Sequence, residues 1–356
     1  MSLTVWVAVK ILLLASISFI TAMLWTPLLT RFLYAYKMGK NIRNDNNATP
    51  LFSKMHQHKK GTPTMGGVLI WGTTLVLSLI CALGVQFPGS IFPPEMNFLT
   101  RRETLLPLGA LIMSALVGLI DDIIDIRRAG KGGGGMAMRY RLLIYSGIAV
   151  LAAYWFVSKL DWTILHIPFW GNIELGVFAL PAFFFVIVAT AFSVNETDGL
   201  DGLAGGVLLG AFTAFSGIAF MQSRFDLAVF CAVIGGSLLA FLWFNIHPAR
   251  FFMGDTGSMP LGITLAIVAI YTNTVWLLPV IGFILVMESV SVLVQWTSKL
   301  LRNGKKIFHS TPIHHHFEAI GWEEPKIVMR FWIISAVFSI LGIVLYLLDR
   351  SILGHL

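Results

Sequence analysis

The sequence predicts an all-α, polytopic integral membrane protein, and three observations carry that reading. Hydrophobic residues make up 56% of the 356 residues, charged residues only 12%, and mean hydropathy is +0.80. A soluble domain carries roughly 25% charged residues. The apolar excess is therefore too large for one aqueous core, which excludes an ordinary soluble enzyme and a disordered chain. The apolar residues fall into ten runs, each near the roughly 20 residues needed to cross about 30 Å of hydrocarbon. The basic residues gather in alternate connections between those runs. The 11 Trp and 27 Phe suit lipid-facing and interfacial positions.

A helix that is apolar all round has no informative periodicity, so length is the main guide to each span. The run 4–33 is too long for a signal-peptide core and has no basic start or small-residue cleavage site, so it reads as a retained span. The run 64–85 is entered through Thr62, which suits an N-cap, and Pro63, which suits the first helical position. The run 104–121 ends on Asp121 and Asp122, and 140–158 follows a basic stretch. The runs 177–194 and 203–221 are joined by almost no loop; 226–246, the short 258–272, 275–299 and 328–349 complete the ten. Residues 1–356 read as one membrane domain, with no repeat or linker and no low-complexity stretch beyond Gly132–Gly135. The two cysteines, Cys81 and Cys231, lie inside apolar runs and read as packing residues.

Ten spans make two alternating sets of loops. With their flanking helix ends, the loops 34–63, 122–139, 195–202, 247–257 and 300–327 hold 19 of the 25 basic residues. The positive-inside rule puts that side in the cytoplasm and both termini outside. The net charge of +7 thus follows topology, and no nucleic-acid partner is needed to explain it.

Eleven of the 18 acids lie on the same basic side, and Asp121, Asp122, Asp198, Asp201 and Asp255 stand at helix ends. Acids can simply mark where helices leave the bilayer. Three details point further. Asp121 and Asp122 are adjacent at a predicted helix C-terminus, where the dipole disfavours negative charge; a cation should balance them, either Mg²⁺, which prefers hard oxygen ligands, or Arg127, Arg128 and Lys131. In Asn195-Glu-Thr-Asp198-Gly-Leu-Asp201-Gly, the two Asp share a face in a helical turn, and N-capping requires only one of them. Phe252-Met-Gly-Asp255-Thr-Gly-Ser258 makes a third acidic helix junction.

Cationic groups face the same side. Lys59 and Lys60 precede Gly61-Thr-Pro-Thr64-Met-Gly-Gly67, and the free N–H groups of a helix N-terminus beside two lysines can hold phosphate. Taken alone, the segment fits an ordinary capped span with positive-inside lysines better. His314, His315 and His316 are consecutive, so their rings diverge, and no spaced Cys or His completes a zinc set. They suit phosphate or substrate contact, or a solvent-exposed loop. Acids for a hard metal, lysines and histidines on one face suit phosphoryl transfer, which depends on positioning and charge neutralisation. No Walker P-loop is present, which argues against a nucleotide-hydrolysing motor.

The segments Lys59–Gly67, Asp121-Asp122, Asn195–Leu203, Phe252–Ser258 and Thr311–Glu318 occur in an order that resembles the MraY-type phospho-N-acetylmuramoyl-pentapeptide transferases. These belong to the wider polyprenyl-phosphate N-acetylhexosamine-1-phosphate transferases. The resemblance covers essentially the whole chain; GTPTMGG, PIHHHFE and the following GWEEP favour the MurNAc-pentapeptide branch. It implies transfer of phospho-MurNAc-pentapeptide from UDP-MurNAc-pentapeptide to undecaprenyl phosphate, giving lipid I and UMP, in a bacterial plasma membrane with the site facing the cytoplasm. It implies Mg²⁺ held by Asp255 with Asp121 and Asp122 close by, Asp121 being a base or a positioner of the lipid phosphate, in a one-step or a covalent two-step route. It also implies substrate contacts from Lys59, Lys60, Thr64, Lys131, Asn195, Asp198, Asp201, Asn245 and Phe252, with His314 catalytic and His315 and His316 completing the pocket. A homodimer is a further implication of the resemblance alone.

Three positions depart from the family pattern: Asp125 replaces a basic residue, Glu196 replaces Leu, and Phe192 replaces an Asn. The first two add negative charge beside a site for anions. A GlcNAc-1-phosphate transferase is the nearest rival, disfavoured by the three histidines. An ion-coupled transporter would place its charges near mid-membrane, where only Glu288 stands out, as a transport group or as a packing acid paired across the bundle.

Overall fold

A computed structural model describes residues 2–36, 38–39, 59, 61–84, 94–101, 103–128, 136 and 138–352. Among them the fold is helical, with one small hairpin. In chain order the helices are α1 (Leu3–Ala35), α2 (Gly67–Gly84), α3 (Leu105–Arg128), α4 (Met138–Lys159), α5 (Ala179–Thr197), α6 (Leu203–Met221), α7 (Phe225–Asn245) and α8 (Asp255–Tyr271). They continue with α9 (Leu278–Ile281), α10 (Phe283–Leu301), α11 (Ile313–Ala319) and α12 (Glu324–Ile352). Among the described residues nine helices are long and apolar enough to cross a membrane, and α8 is a shorter apolar helix. The all-α polytopic expectation holds, and each expected span has a helix.

The short span is the central one. Every residue of α8 from Thr256 to Tyr271 is buried, because α3, α5, α2 and α6 surround it. A helix enclosed by protein need not match the thickness of lipid. Close approach makes that enclosure tight: a Cβ on Gly118 of α3 would stand 2.3 Å from the Asp255 carbonyl oxygen at the start of α8. By contrast α1 and α12 expose Leu12, Leu24, Leu28, Ile333, Val337 and Ile340, the pattern of helices facing hydrocarbon.

Three expectations are corrected. The run 275–299 is not one helix: a 3₁₀ turn at Val275–Leu277 leads into α9, and Gly282, at φ −92° and ψ 33°, leaves the helical region before α10 begins. The run 104–121 continues as helix to Arg128, so Asp121 and Asp122 lie inside α3 rather than at its end. The 64–85 helix starts only at Gly67, with Pro63 in an antiparallel bridge to Gly39. Between α4 and α5, β1 (Ile164–Ile167) pairs antiparallel with β2 (Gly171–Glu174), Ile164 opposite Glu174 and Ile167 opposite Gly171. Cys81 and Cys231 are buried free thiols.

Candidate active site

The acidic junctions meet at one end of the bundle in two adjoining clusters. The first is built on α3, α4, α5 and α8. Asp255 opens α8; Asn195, in the last turn of α5, donates through Nδ2 to Asp255 Oδ1 at 2.8 Å and to Ser258 Oγ at 3.0 Å. Asp121 is 1% exposed, yet its carboxylate accepts from the Met136 N–H and meets Arg141 Nη2 at 2.6 Å. The same Arg141 nitrogen lies 3.1 Å from Asp255 Oδ2. One guanidinium therefore joins two carboxylates from separate helices.

Asp122 has a different task. Its two oxygens accept from the backbone N–H groups of Asp255 and Thr256, each at 3.2 Å, so it caps α8 across the helix interface. A carboxylate there is favoured by the free amides and by the dipole. Gly254 makes the approach feasible. It has φ +74°, and a Cβ there would fall 2.5 Å from Thr64 Oγ1 and 2.6 Å from Asp122 Oδ2.

The second cluster centres on Lys59. Its Nζ lies 2.7 Å from Asp201 Oδ1 and 2.6 Å from Glu324 Oε1, with all three side chains no more than 9% exposed. Glu324 Oε1 also accepts the Asp201 N–H, and Asp201 Oδ2 accepts the Ala249 N–H at 3.1 Å and contacts His247 Nδ1 at 3.0 Å. Burial pushes the Asp201 carboxyl up, but Lys59 and the hydrogen bonds from Lys59, Ala249 and His247 prevail and hold it below the ordinary value. Asp201, His247 and Glu324 could together offer ligand atoms to a metal. Lys59 offsets one of the two carboxylate charges in that group.

Phe252 and Asn245 tie the two clusters together. Lys59 Nζ stands 5.8 Å from the centroid of the half-buried Phe252 ring, and the Phe252 N–H donates to the Pro63 carbonyl at 2.8 Å. Asn245 accepts the Gly202 N–H at 2.9 Å and donates to the Phe251 carbonyl at 2.8 Å. This pairing corrects the phosphate cradle expected at the start of α2. The N–H groups of Gly66 and Gly67 are spent on the carbonyls of Phe252 and Met253, at 2.7 and 2.8 Å. The capping expected of Asp198 or Asp201 is also absent: Gly202 begins α6 without a side-chain cap, and Asp198 ends α5.

The histidines take different polar partners, but the expected divergence of their rings is not complete: the His314 and His315 rings pack edge to face with centroids 4.1 Å apart. His314 is fully buried with Nδ1 2.9 Å from Glu288 Oε2; His315 pairs with Glu318 at 2.6 Å; His316 Nδ1 accepts the His309 N–H at 3.2 Å. The solvent-exposed reading of this segment fails for His314, and Glu288 is the paired packing acid. Lys60 and Lys131 lie outside the described residues. Arg141, Glu324 and His247 were missed in sequence. In sequence Arg141 reads only as a positive-inside charge, and Glu324 only as a cytoplasmic-side acid within the GWEEP segment. His247 stands alone before Pro248, without a spacing signal.

Comparison with known proteins bears on this arrangement. The family model described as glycosyl transferase family 4 matches residues 104–273, and the first signature of phospho-N-acetylmuramoyl-pentapeptide-transferase matches 59–70. A Chloroflexus aurantiacus protein named phospho-N-acetylmuramoyl-pentapeptide-transferase is 35% identical over 95% of this chain and 90% of its own. Proteins of the same name from Geobacillus sp. (strain WCH70) and Rubrobacter xylanophilus are 37% and 38% identical, covering 94% and 95% of this chain and 97% of theirs.

Proposed function

The chain belongs to the phospho-N-acetylmuramoyl-pentapeptide-transferase family, and from that premise we propose how its site makes lipid I. The substrates are UDP-MurNAc-pentapeptide and undecaprenyl phosphate. An oxygen of the lipid phosphate attacks the phosphorus bonded to the sugar. The bond between that phosphorus and the bridging oxygen breaks, and UMP leaves with the electron pair. The products are UMP and lipid I. We assign the enzyme to the bacterial plasma membrane with the site facing the cytoplasm, because the basic loops surround the acidic junctions.

The observation that carries the site assignment is the convergence of Asp121 and Asp255 on one cation, Arg141 Nη2. Two carboxylate oxygens at a helix junction form a hard, oxygen-only donor set, which fits Mg²⁺. Asp255 is the assigned ligand with Asp121 beside it, and Asp122 is held away by capping α8. A Mg²⁺ held by Asp255 would offset negative charge on the pyrophosphate.

The chain's own residues do the rest. Arg141 and the Met136 N–H restrain the Asp121 carboxylate, which suits orientation of the lipid phosphate better than nucleophilic attack. The lipid phosphate is already largely ionised near neutral pH, so the route is direct transfer with little need of a base. Asn195 orients Asp255. Phe252 offers a ring face for uracil, and Lys59, Asp201 and Asn245 frame the nucleotide. Thr64 and Asp198 are assigned as further nucleotide-side contacts, and His315 and His316 as contacts to the sugar and its phosphate. The family resemblance assigns cationic substrate contacts to Lys60 and Lys131 as well.

Purified protein should release UMP from UDP-MurNAc-pentapeptide only with both a polyprenyl phosphate and a divalent cation. Release without the lipid, or undiminished by chelation of every divalent ion, would sink this reading.

A further inference from the structure

We propose that Glu288 is a positioning residue: through His314 it seats the turn Asp198–Gly202 that presents Asp201 to the nucleotide. The proposal rests on the transferase reading above and concerns a pair that the mechanism does not use. Glu288 lies in α10 and His314 in α11, both with side chains 0% exposed. Glu288 Oε2 is 2.9 Å from His314 Nδ1 and 3.5 Å from the His314 N–H, so it fixes both ring and backbone.

The rest of the ring makes no polar contact. His314 Nε2 is buried and without a hydrogen-bond partner. It lies where a Cβ on Gly199 would be only 2.2 Å away, so the imidazole edge rests on the Gly199 backbone. A substrate atom cannot touch Nε2 without displacing that turn. His314 therefore acts on the site through Gly199 rather than as a catalytic residue.

The turn is held at three points. His314 abuts Gly199, Glu324 accepts the Asp201 N–H at 2.6 Å, and Asn245 accepts the Gly202 N–H at 2.9 Å. Glu324 and Asn245 already belong to the Lys59 cluster. Glu288–His314 is the support that enters from outside it. An imidazole side chain has rotational freedom about its χ angles; the Glu288 carboxylate restrains it at Nδ1, beside the edge-to-face packing of the His315 ring at 4.1 Å. Loss of Glu288 should let the ring turn and Gly199 relax, moving Asp201 relative to Lys59. Asp121, Asp122 and Asp255, held by separate partners, should keep their geometry.

The test is steady-state kinetics of the purified full-length enzyme, varying each substrate in turn. Glu288→Leu should raise KM for UDP-MurNAc-pentapeptide about tenfold or more, with kcat changed less than about threefold. KM for polyprenyl phosphate should not move. Glu288→Gln, whose amide oxygen still accepts from Nδ1, should stay within about threefold of the parent in every constant. Gly199→Ala, which pushes the ring from the other side, should reproduce the Glu288→Leu signature. It carries the test if Glu288→Leu does not fold. A purely structural role would lower yield or apparent kcat and leave the nucleotide KM unchanged, and that result in Gly199→Ala overturns the proposal. If the parent protein releases no UMP, the transferase reading fails and this inference falls with it.

Discussion

The two ends of the helical bundle carry similar residues in different stoichiometry. At the end with the hairpin, three acids each have one basic partner: Lys10 with Asp226 at 3.6 Å, Arg224 with Glu103 at 3.8 Å, His166 with Asp349 at 2.6 Å. At the other end two carboxylates share one cation. Arg141 joins Asp121 and Asp255, and Lys59 joins Asp201 and Glu324. Within each of these two clusters the carboxylates outnumber the cation they share, although the loops around them carry most of the basic residues. A site for anionic substrates works in that state only if positive charge arrives with the ligand. That is the physical reason to look for a divalent ion there and not at the hairpin.

The sharpest way to break this comparison is at Asp255. Asp255→Asn keeps the volume and removes the charge, and kcat should fall by about 10³-fold or more, as expected when a metal ligand in phosphoryl transfer is lost. Mn²⁺ binding, followed by electron paramagnetic resonance, should weaken in parallel. Full activity with intact Mn²⁺ binding would remove the assigned role of this carboxylate.

Lys59→Met tests the other shared cation. It leaves Asp201 and Glu324 buried side by side, and breaking such a buried pair costs about 3–5 kcal/mol. Both the melting temperature and the nucleotide affinity should drop. The same pair sets a pH response. Asp201 is held below its ordinary value in the folded protein, so its contribution is complete above the ordinary carboxylate range. It is lost as pH falls through the lowered value. Melting temperature against pH should therefore decline on the acid side in the parent and be flatter in Asp201→Asn. A parallel decline in both proteins would assign the acid sensitivity elsewhere.

These contrasts also mark how far the sequence could be read. The spans were legible because lipid requires length and apolarity, and both are linear properties. Asp121, Asp255, Asn195 and Lys59 were legible as unusual residues at span ends. The division of labour between Asp121 and Asp122 was not, because it depends on which amide lies across the α3–α8 contact. Nor was the fate of the α2 N–H groups, which are spent on Phe252 and Met253, nearly two hundred residues away. Arg141 and Glu324 looked like ordinary surface charges until other helices placed carboxylates or a lysine against them. Burial of His314 against Glu288 likewise depends on α11 folding back under α10.

At the hairpin end the expected effects are smaller and confined to stability. Asp349 is the best-held acid there: His166 Nε2 contacts Oδ2 at 2.6 Å and the Phe169 N–H donates to Oδ1 at 2.6 Å. Asp349→Leu leaves a buried amide and an imidazole without their acceptor, a loss of about 1–3 kcal/mol. The melting temperature should fall while kcat and both KM values stay within about twofold, since no nucleotide or lipid-phosphate contact lies at that end. Glu103→Gln, which removes a partly exposed pair at 3.8 Å, should cost about 0–1 kcal/mol. The order matters more than either value. If the Asp349 variant altered nucleotide KM as strongly as the Lys59 variant, the two ends would be energetically coupled through α12, which begins at Glu324 and contains Asp349. The difference in charge stoichiometry would then describe one continuous device, with α12 transmitting strain from hairpin to site. Unchanged kinetics with a lowered melting temperature would keep the ends independent and leave function to the end that holds the Arg141 and Lys59 clusters.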